Sequence, residues 1–204
     1  LLLTRQGVAQ CYVKFSDRIG LALEARRCEA ASRCYPQLVP AYVGYAHHDG
    51  LDVLVCRAVD FRGLNARQLQ HGPVHGRIVD GLGRYFRLAA QTQLPADLTP
   101  LPNRGIVDAL RAYFDPHPAR ALALHWLQGD AARLAQALPD MPQHSDLVLN
   151  NMGQTRQGTA LLIDWEDFGA SCLPGLDLFT LELSLAGDAA RLLAARQSPA
   201  YALQ

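Results

Sequence analysis

The chain is 204 residues long and half hydrophobic by composition, enough to bury one compact core or two small lobes that share a cleft. Its formal net charge is zero and it has no basic run, which argues against nucleic acid as a partner, and no apolar stretch reaches membrane-spanning length, which argues against a membrane anchor. The five cysteines are odd in number and form no C-x-x-C pair, so neither a disulfide framework nor structural zinc is expected, and a reducing cytoplasm is the simplest location.

Residues 1–5 and 8–15 read as two strands joined by a tight turn at Gln6-Gly7. Alternation in the second strand turns Lys14 away from Val13 and Phe15. Two readings stand: an edge-strand lysine that discourages aggregation, or a half-buried ammonium that meets an anion. Residues 18–35 have helical composition, and Glu24, Cys28 and Ala31 share one face. Pro36 and Pro40 close that helix; residues 43–46 begin a strand that turns at His47-His48-Asp49-Gly50. The paired histidines read as exposed hairpin residues, because no third metal ligand is placed by the pattern. Residues 51–59 form the next strand.

From Leu64 the pattern becomes helical. Val74, Ile78, Leu82, Tyr85, Phe86 and Ala89 recur at three to four residues and predict an amphipathic helix ending before Pro95. The proline-rich stretch 93–102 reads as a surface connection, and helices are expected over 106–114 and 121–138, with His125 and Trp126 as packing residues. After Asp177, apolar helices continue over 178–185 and 189–195.

The most informative stretch is 143–169. It places His144, Asp146 and Asn151 in a loop, follows with a turn-rich insert, and runs an apolar, β-like segment, 160–163, directly into Asp164. Loops and strand ends are where fixed side chains meet ligands. Asn151 lies five residues after Asp146, so its amide oxygen can turn toward the same point as Asp164. A hard cation such as Mg²⁺ favours such oxygen ligands, which leaves Asp146 to accept a proton. H-x-D-x-x-x-x-N followed by a strand-terminal Asp is the layout of the kinase catalytic loop and metal-binding Asp.

The same segment resembles the aminoglycoside phosphotransferase and choline kinase-like family of small-molecule kinases. That family's pattern is H-G-D-x-x-x-x-N followed by I-D-W-E or I-D-F-E, matched here by His144, Asp146 and Asn151 and by Ile163-Asp164-Trp165-Glu166. Pro174-Gly175-Leu176-Asp177-Leu178 is similar to the family's G-x-P-x-x-D-L, whose Asp braces the catalytic loop. Ser145 stands where the family usually has Gly, which matters if φ there is positive.

The resemblance implies an α+β, protein-kinase-like bilobal fold. Residues 1–60 would form a small, truncated β-sheet lobe that binds nucleotide and lacks the glycine-rich phosphate turn, and residues 61–204 a mainly helical catalytic lobe. It implies ATP-dependent transfer of the γ-phosphoryl group to a hydroxyl of a small molecule. Asp146 would take or orient the hydroxyl proton, and His144 and Asp177 would hold the loop. Asn151 and Asp164 would hold Mg²⁺. Lys14 would grip the α- and β-phosphates, braced by Glu24 or Glu29. Glu24 is preferred because its face can turn inward, while Glu29 suits a solvated pairing with nearby arginines. Backbone groups of Arg57, Ala58 and Val59 would meet adenine. The missing glycine-rich turn leaves open a catalytically impaired nucleotide-binding pseudokinase or regulatory module. A hydrolytic metal centre built on His144, Asp146 and Asp164 would leave Lys14 without a purpose. The sequence decodes neither the acceptor nor the oligomeric state.

Overall fold

The computed structural model describes residues 1–17, 20–70, 74–95, 97–98, 133 and 137–187. Strands β1 (Leu2–Arg5) and β2 (Val8–Ser16) form a hairpin whose turn residues, Gln6 and Gly7, have φ of 52° and 76°. Two successive positive φ values match the strand twist. β3 (Tyr42–His48) and β4 (Leu51–Arg57) repeat the device at Asp49 and Gly50, with φ of 49° and 76°. These strands make one antiparallel sheet in the order β1-β2-β4-β3. β2 is therefore internal, which removes the edge-strand reading of Lys14.

Helix α1 (Leu21–Cys34) lies against this sheet and seals a small apolar cluster of Leu21, Ala25 and Leu54. Lys14 pairs directly with Leu54 across the ladder, so both side chains rise on the same face. The larger core is aromatic. Tyr35, Tyr85, Trp165 and Phe168 are almost fully buried, with Tyr35 stacked on Trp165 at 5.5 Å and edge-on to Tyr85 at 5.2 Å. Each such ring contributes about 1.5–3 kcal/mol by burial. Ala30, Ala31, Tyr35, Leu38 and Val39 belong to this core, so the end of α1 is anchored among the elements that follow residue 60.

Downstream lie β5 (Arg62–Gly63), α2 (Ala66–Gln70) and α3 (His75–Ala89), then β6 (Met152–Gln154), β7 (Ala160–Leu162) and α4 (Leu176–Ala186). A second antiparallel sheet has the order β5-β6-β7. α3 packs on β7 so closely that a Cβ on Gly81 would fall 2.5 Å from that of Ala160, which accounts for glycine at a buried helix position.

Several expectations shift in detail. The turn expected over His47–Gly50 narrows to Asp49-Gly50: both histidines stay on β3, where His47 Nδ1 lies 2.7 Å from Asp52 Oδ1. Strand β4 ends at Arg57 rather than Val59. The insert before β7 is half of a hairpin, because three residues of β6 are too few to show an alternating pattern. The helices expected over 106–114 and 189–195, most of that over 121–138, and His125 and Trp126 lie outside the described residues.

Candidate active site

Strand β7 is buried along its length and delivers Ile163 and Asp164 to its open end. Ile163 is clamped from two sides: its N–H donates to Asn151 O at 3.0 Å, and its carbonyl accepts from His144 Nε2 at 2.8 Å. The strand end and the 143–151 loop are thereby locked together, with Asn151 beside Asp164.

The loop is held from behind by Asp177, on the first turn of α4 and fully buried. Its Oδ2 accepts from the Tyr85 hydroxyl at 2.5 Å and from His144 N–H at 2.7 Å, while Oδ1 accepts from Ser145 N–H at 2.9 Å. The Tyr85 hydroxyl also accepts from His144 N–H at 2.8 Å. Burial pushes the Asp177 carboxyl up from the usual range, against the pull of these donors. His144 is 0% exposed and packs on Trp165 at 4.5 Å. Burial holds its imidazole below the ordinary range, so it is neutral and carries its proton on Nε2; Nδ1 is buried without a partner among the described residues. His144, grouped with Asp146 from the sequence and expected there to hold the loop, is buried behind it and does not line the cavity.

Asp146 and Asn151 meet. Asn151 Nδ2 donates to Asp146 O at 2.9 Å and to Asp146 Oδ2 at 3.1 Å, and Asn151 Oδ1 has no partner among the described residues. Asp146 and Asp164 are both solvent-exposed. Asp164 has no hydrogen-bond partner among the described residues. Its carboxyl is raised above the ordinary range by desolvation and by Glu166, with a smaller contribution from Asp146, while Lys14 pulls it down.

Four non-glycine residues in the described chain have positive φ. Gln6 and Asp49 serve hairpin turns; the others are Ser145 at 70° and Asp164 at 65°. Left-handed backbone costs a side-chain-bearing residue about 1 kcal/mol or more, and both instances sit at the candidate site. Ser145 compensates through its hydroxyl, which donates to Gln143 O at 3.3 Å and accepts from Ser171 N–H at 3.2 Å.

From the sheet side, Lys14 Nζ donates to Glu24 Oε2 at 2.8 Å and to Glu166 Oε2 at 2.9 Å. Glu29 pairs instead with Arg33 at 3.6 Å. Burial lowers the Lys14 pKa, but the hydrogen bonds and charges of the two glutamates outweigh it and carry the ammonium well above its ordinary range. Glu24 moves up: burial dominates, and its one lysine is shared with a second acid.

Lys14, Glu24, Asp164, Arg57, Ala58 and Val59 line a single cavity of about 480 Å³. Asp146, Asn151 and His144 do not line it; the first two adjoin it through Asp164. At the proposed adenine edge, Arg57 N–H is taken by Ala41 O at 2.8 Å and Ala58 N–H by Gln10 O at 2.9 Å. Of the three N–H groups, that of Val59 alone lacks a partner among the described residues.

Three contributors escaped the sequence reading. Tyr85 looked like one more apolar helix position, since the i/i+3/i+4 pattern does not distinguish a phenol from a phenylalanine ring. Arg27, 7% exposed, donates from Nη1 to Glu166 O at 2.8 Å and lies 3.4 Å from Asp167 Oδ1; its spacing of three after Glu24 puts both on the buried side of α1 and was the available signal. Gln143 Oε1 accepts from Asp177 N–H at 3.3 Å. Among the described residues, no three His, Cys, Asp or Glu side chains converge as a metal cage, and no helix is long and apolar enough to cross a membrane.

No protein-family model and no curated protein sequence matches the chain. Solved structures do. A choline/ethanolamine kinase family protein from Mesorhizobium loti aligns over 97% of this chain and 64% of its own, at TM-score 0.60 and 18% identity. Aminoglycoside phosphotransferase APH(3'')-Id from Streptomyces rimosus, in complex with ADP and streptomycin, aligns over 87% and 72%, at TM-score 0.54 and 18% identity. A thermostable mutant of aminoglycoside phosphotransferase APH(4)-Ia, in a ternary complex with ADP and hygromycin B, aligns over 95% and 72%, at TM-score 0.52 and 16% identity. The chain thus spans less than two thirds of the first of these and somewhat more of the others. With its antiparallel sheet, its braced H-S-D loop and its strand-terminal aspartate, this chain has the bilobal α+β fold of the kinase-like small-molecule phosphotransferases, as its motifs led one to expect.

Proposed function

We propose that the chain is an ATP-dependent phosphotransferase acting on a hydroxyl group of a small molecule, with residues 1–60 as its nucleotide-binding lobe and 61–204 as its catalytic lobe. The observation that carries this reading is the Glu24-braced ammonium of Lys14 facing the same cavity as Asp164. In phosphoryl transfer the protein contributes positioning and charge rather than covalent chemistry. Lys14 meets the phosphates of the nucleotide, and the Val59 N–H meets the base. Asp146, fixed by Asn151, accepts or orients the proton of the acceptor hydroxyl. The acceptor oxygen forms its bond to the γ-phosphorus as the bond to the β,γ-bridging oxygen breaks, and ADP departs.

The donor set suits Mg²⁺: a free amide oxygen on Asn151 and an unpartnered, electrostatically frustrated carboxylate on Asp164 are hard oxygen ligands. Bound there, the ion would neutralise phosphate charge. Asp146→Asn should reduce turnover by about a hundredfold or more while leaving ADP affinity within a few-fold; ADP release across a panel of amino sugars, choline-like amines and sugars reports both acceptor and rate. Retained turnover in that variant would refute the role of Asp146.

One observation favours the second reading, a nucleotide-binding pseudokinase. Glu166 holds the side of Lys14 that Glu24 leaves open. Calorimetric Mg·ATP binding with no product from any acceptor would select it.

A further inference from the structure

Cys28 lies one turn beyond Glu24 on α1, and Cys56 lies one residue before Arg57 on β4. Both pack against the Leu21, Ala25 and Leu54 cluster, and both line the cavity that holds Lys14 and Asp164. Each is partly buried rather than sealed, and each thiol shifts the titration of the other. They therefore join the element that carries the lysine's partner to the element that carries the adenine edge, inside the pocket wall. Nothing in the proposed transfer chemistry uses them.

We propose that Cys28 and Cys56 are a redox-active dithiol, closed to a disulfide by a hydroperoxide that enters through the nucleotide cavity. The neighbouring Cys28 holds the Cys56 thiol below its ordinary range despite burial, while Cys56 and burial raise that of Cys28. Cys56 is thus the nucleophile. Its thiolate attacks one peroxide oxygen; the O–O bond breaks, the other oxygen leaves with a proton, and Cys56 becomes a sulfenic acid. The Cys28 sulfur then attacks that sulfur, the S–O bond breaks, and hydroxide leaves with the Cys28 proton as water. Two thiols give up two electrons and one peroxide accepts them.

Closing the bond brings the two sulfurs of the cavity wall to about 2.05 Å. That pulls α1 toward β4 and narrows the cavity between them, so the oxidised form binds ADP more weakly. This last consequence rests on the nucleotide reading above; the disulfide itself does not.

The test uses the whole chain, reduced and then titrated with hydrogen peroxide. Intact mass should fall by two hydrogens, peptide mapping should link Cys28 to Cys56, and a thiol reductant should reverse both. Cys28→Ala should replace the disulfide by a sulfenic acid trapped on Cys56 by dimedone. Oxygen additions without a link, or a link through Cys11, Cys34 or Cys172, would overturn the proposal. Calorimetry with ADP on the two forms should show several-fold weaker binding after oxidation, and equal affinities would overturn the gating claim. Reduced protein that binds no ADP would instead refute the nucleotide reading, with the mass result still standing.

Discussion

Tyr85→Phe removes a single oxygen, and its expected effect can be worked through from the geometry. The hydroxyl accepts from His144 N–H at 2.8 Å and donates to Asp177 Oδ2 at 2.5 Å. His144 N–H keeps Asp177 Oδ2 at 2.7 Å, so no backbone donor is orphaned by the change. What is lost is one buried hydrogen bond to a carboxylate, about 1.5–3 kcal/mol. Asp177→Asn is harsher. Whichever way the amide faces, its NH₂ confronts either Ser145 N–H or the pair formed by Tyr85 and His144, and breaking up a buried charged cluster of this kind costs about 3–5 kcal/mol. The Tyr85 to Asp177 bond is counted in both single variants. The double variant should therefore fall short of the sum by about 1–2 kcal/mol. Urea denaturation followed by fluorescence and by far-ultraviolet circular dichroism supplies the numbers. A Tyr85→Phe cost below about 0.5 kcal/mol, the range of ordinary surface changes, or strict additivity, would refute the claim that this tyrosine braces the loop.

Replacing Glu166 by Gln frees one side of Lys14, whose side chain is 35% exposed; screening limits the gain to about 0.2–1 kcal/mol, so calorimetric ADP affinity should tighten a few-fold, and a tenfold loss would show that the carboxylate aids binding. At Ser145, with φ of 70°, Gly and Ala should differ in stability by about 1 kcal/mol in favour of Gly, because both lose the hydroxyl and only Gly sheds the backbone strain; equal midpoints in urea would argue against strain. His144 yields a pH effect of known sign. Burial holds its folded pKa below the ordinary 6.5, against the opposing charges of Asp177, Asp146 and Asp164, so below about pH 6.5 the unfolded chain takes up a proton that the folded one refuses, and stability is lost at up to about 1.4 kcal/mol per pH unit until the folded pKa is reached. His144→Asn should flatten that slope between about pH 7.5 and 5.5; an unchanged slope would assign it to other groups.

The parts of the site that sequence made legible are those whose chemistry is local. Asp146 and Asn151 meet because five residues of loop return the chain on itself, and Asp164 follows a buried strand that composition alone betrays. The pairing of Lys14 with Glu24 rather than Glu29 followed from which face of α1 could turn inward. What stayed hidden is long-range. The bond from Tyr85 to Asp177 spans 92 positions, and that from Arg27 to the Glu166 carbonyl spans 139; neither has a sequence period. The proposed adenine edge was limited for a different reason, because its chemistry belongs to backbone groups whose partners are set by strand register. Ladder ends took the N–H groups of Arg57 and Ala58 and, among the described residues, left that of Val59 without a partner.

The charge balance of the cleft explains why its parts belong together. Glu24, Asp164 and Glu166 act on one another and on the single ammonium of Lys14, with Asp146 acting on Asp164. Arg27 compensates from behind, but its bonds are to the Glu166 carbonyl and the Asp167 carboxylate, outside the cavity. Folding has thus gathered Glu24, Asp164 and Glu166 around the Lys14 ammonium, with Asp146 adding to the charge on Asp164, an arrangement that spends stability through repulsion and desolvation. A polyphosphate reaching Lys14 alone would meet the like charge of Asp164 and Glu166. The surplus becomes favourable when a divalent cation arrives with the phosphates, since the same carboxylates that repel the anion then attract its counter-ion. Nucleotide affinity should accordingly collapse when Mg²⁺ is chelated, and the loss should be smaller in Asp164→Asn, where the proposed ligand and the repulsion are removed together.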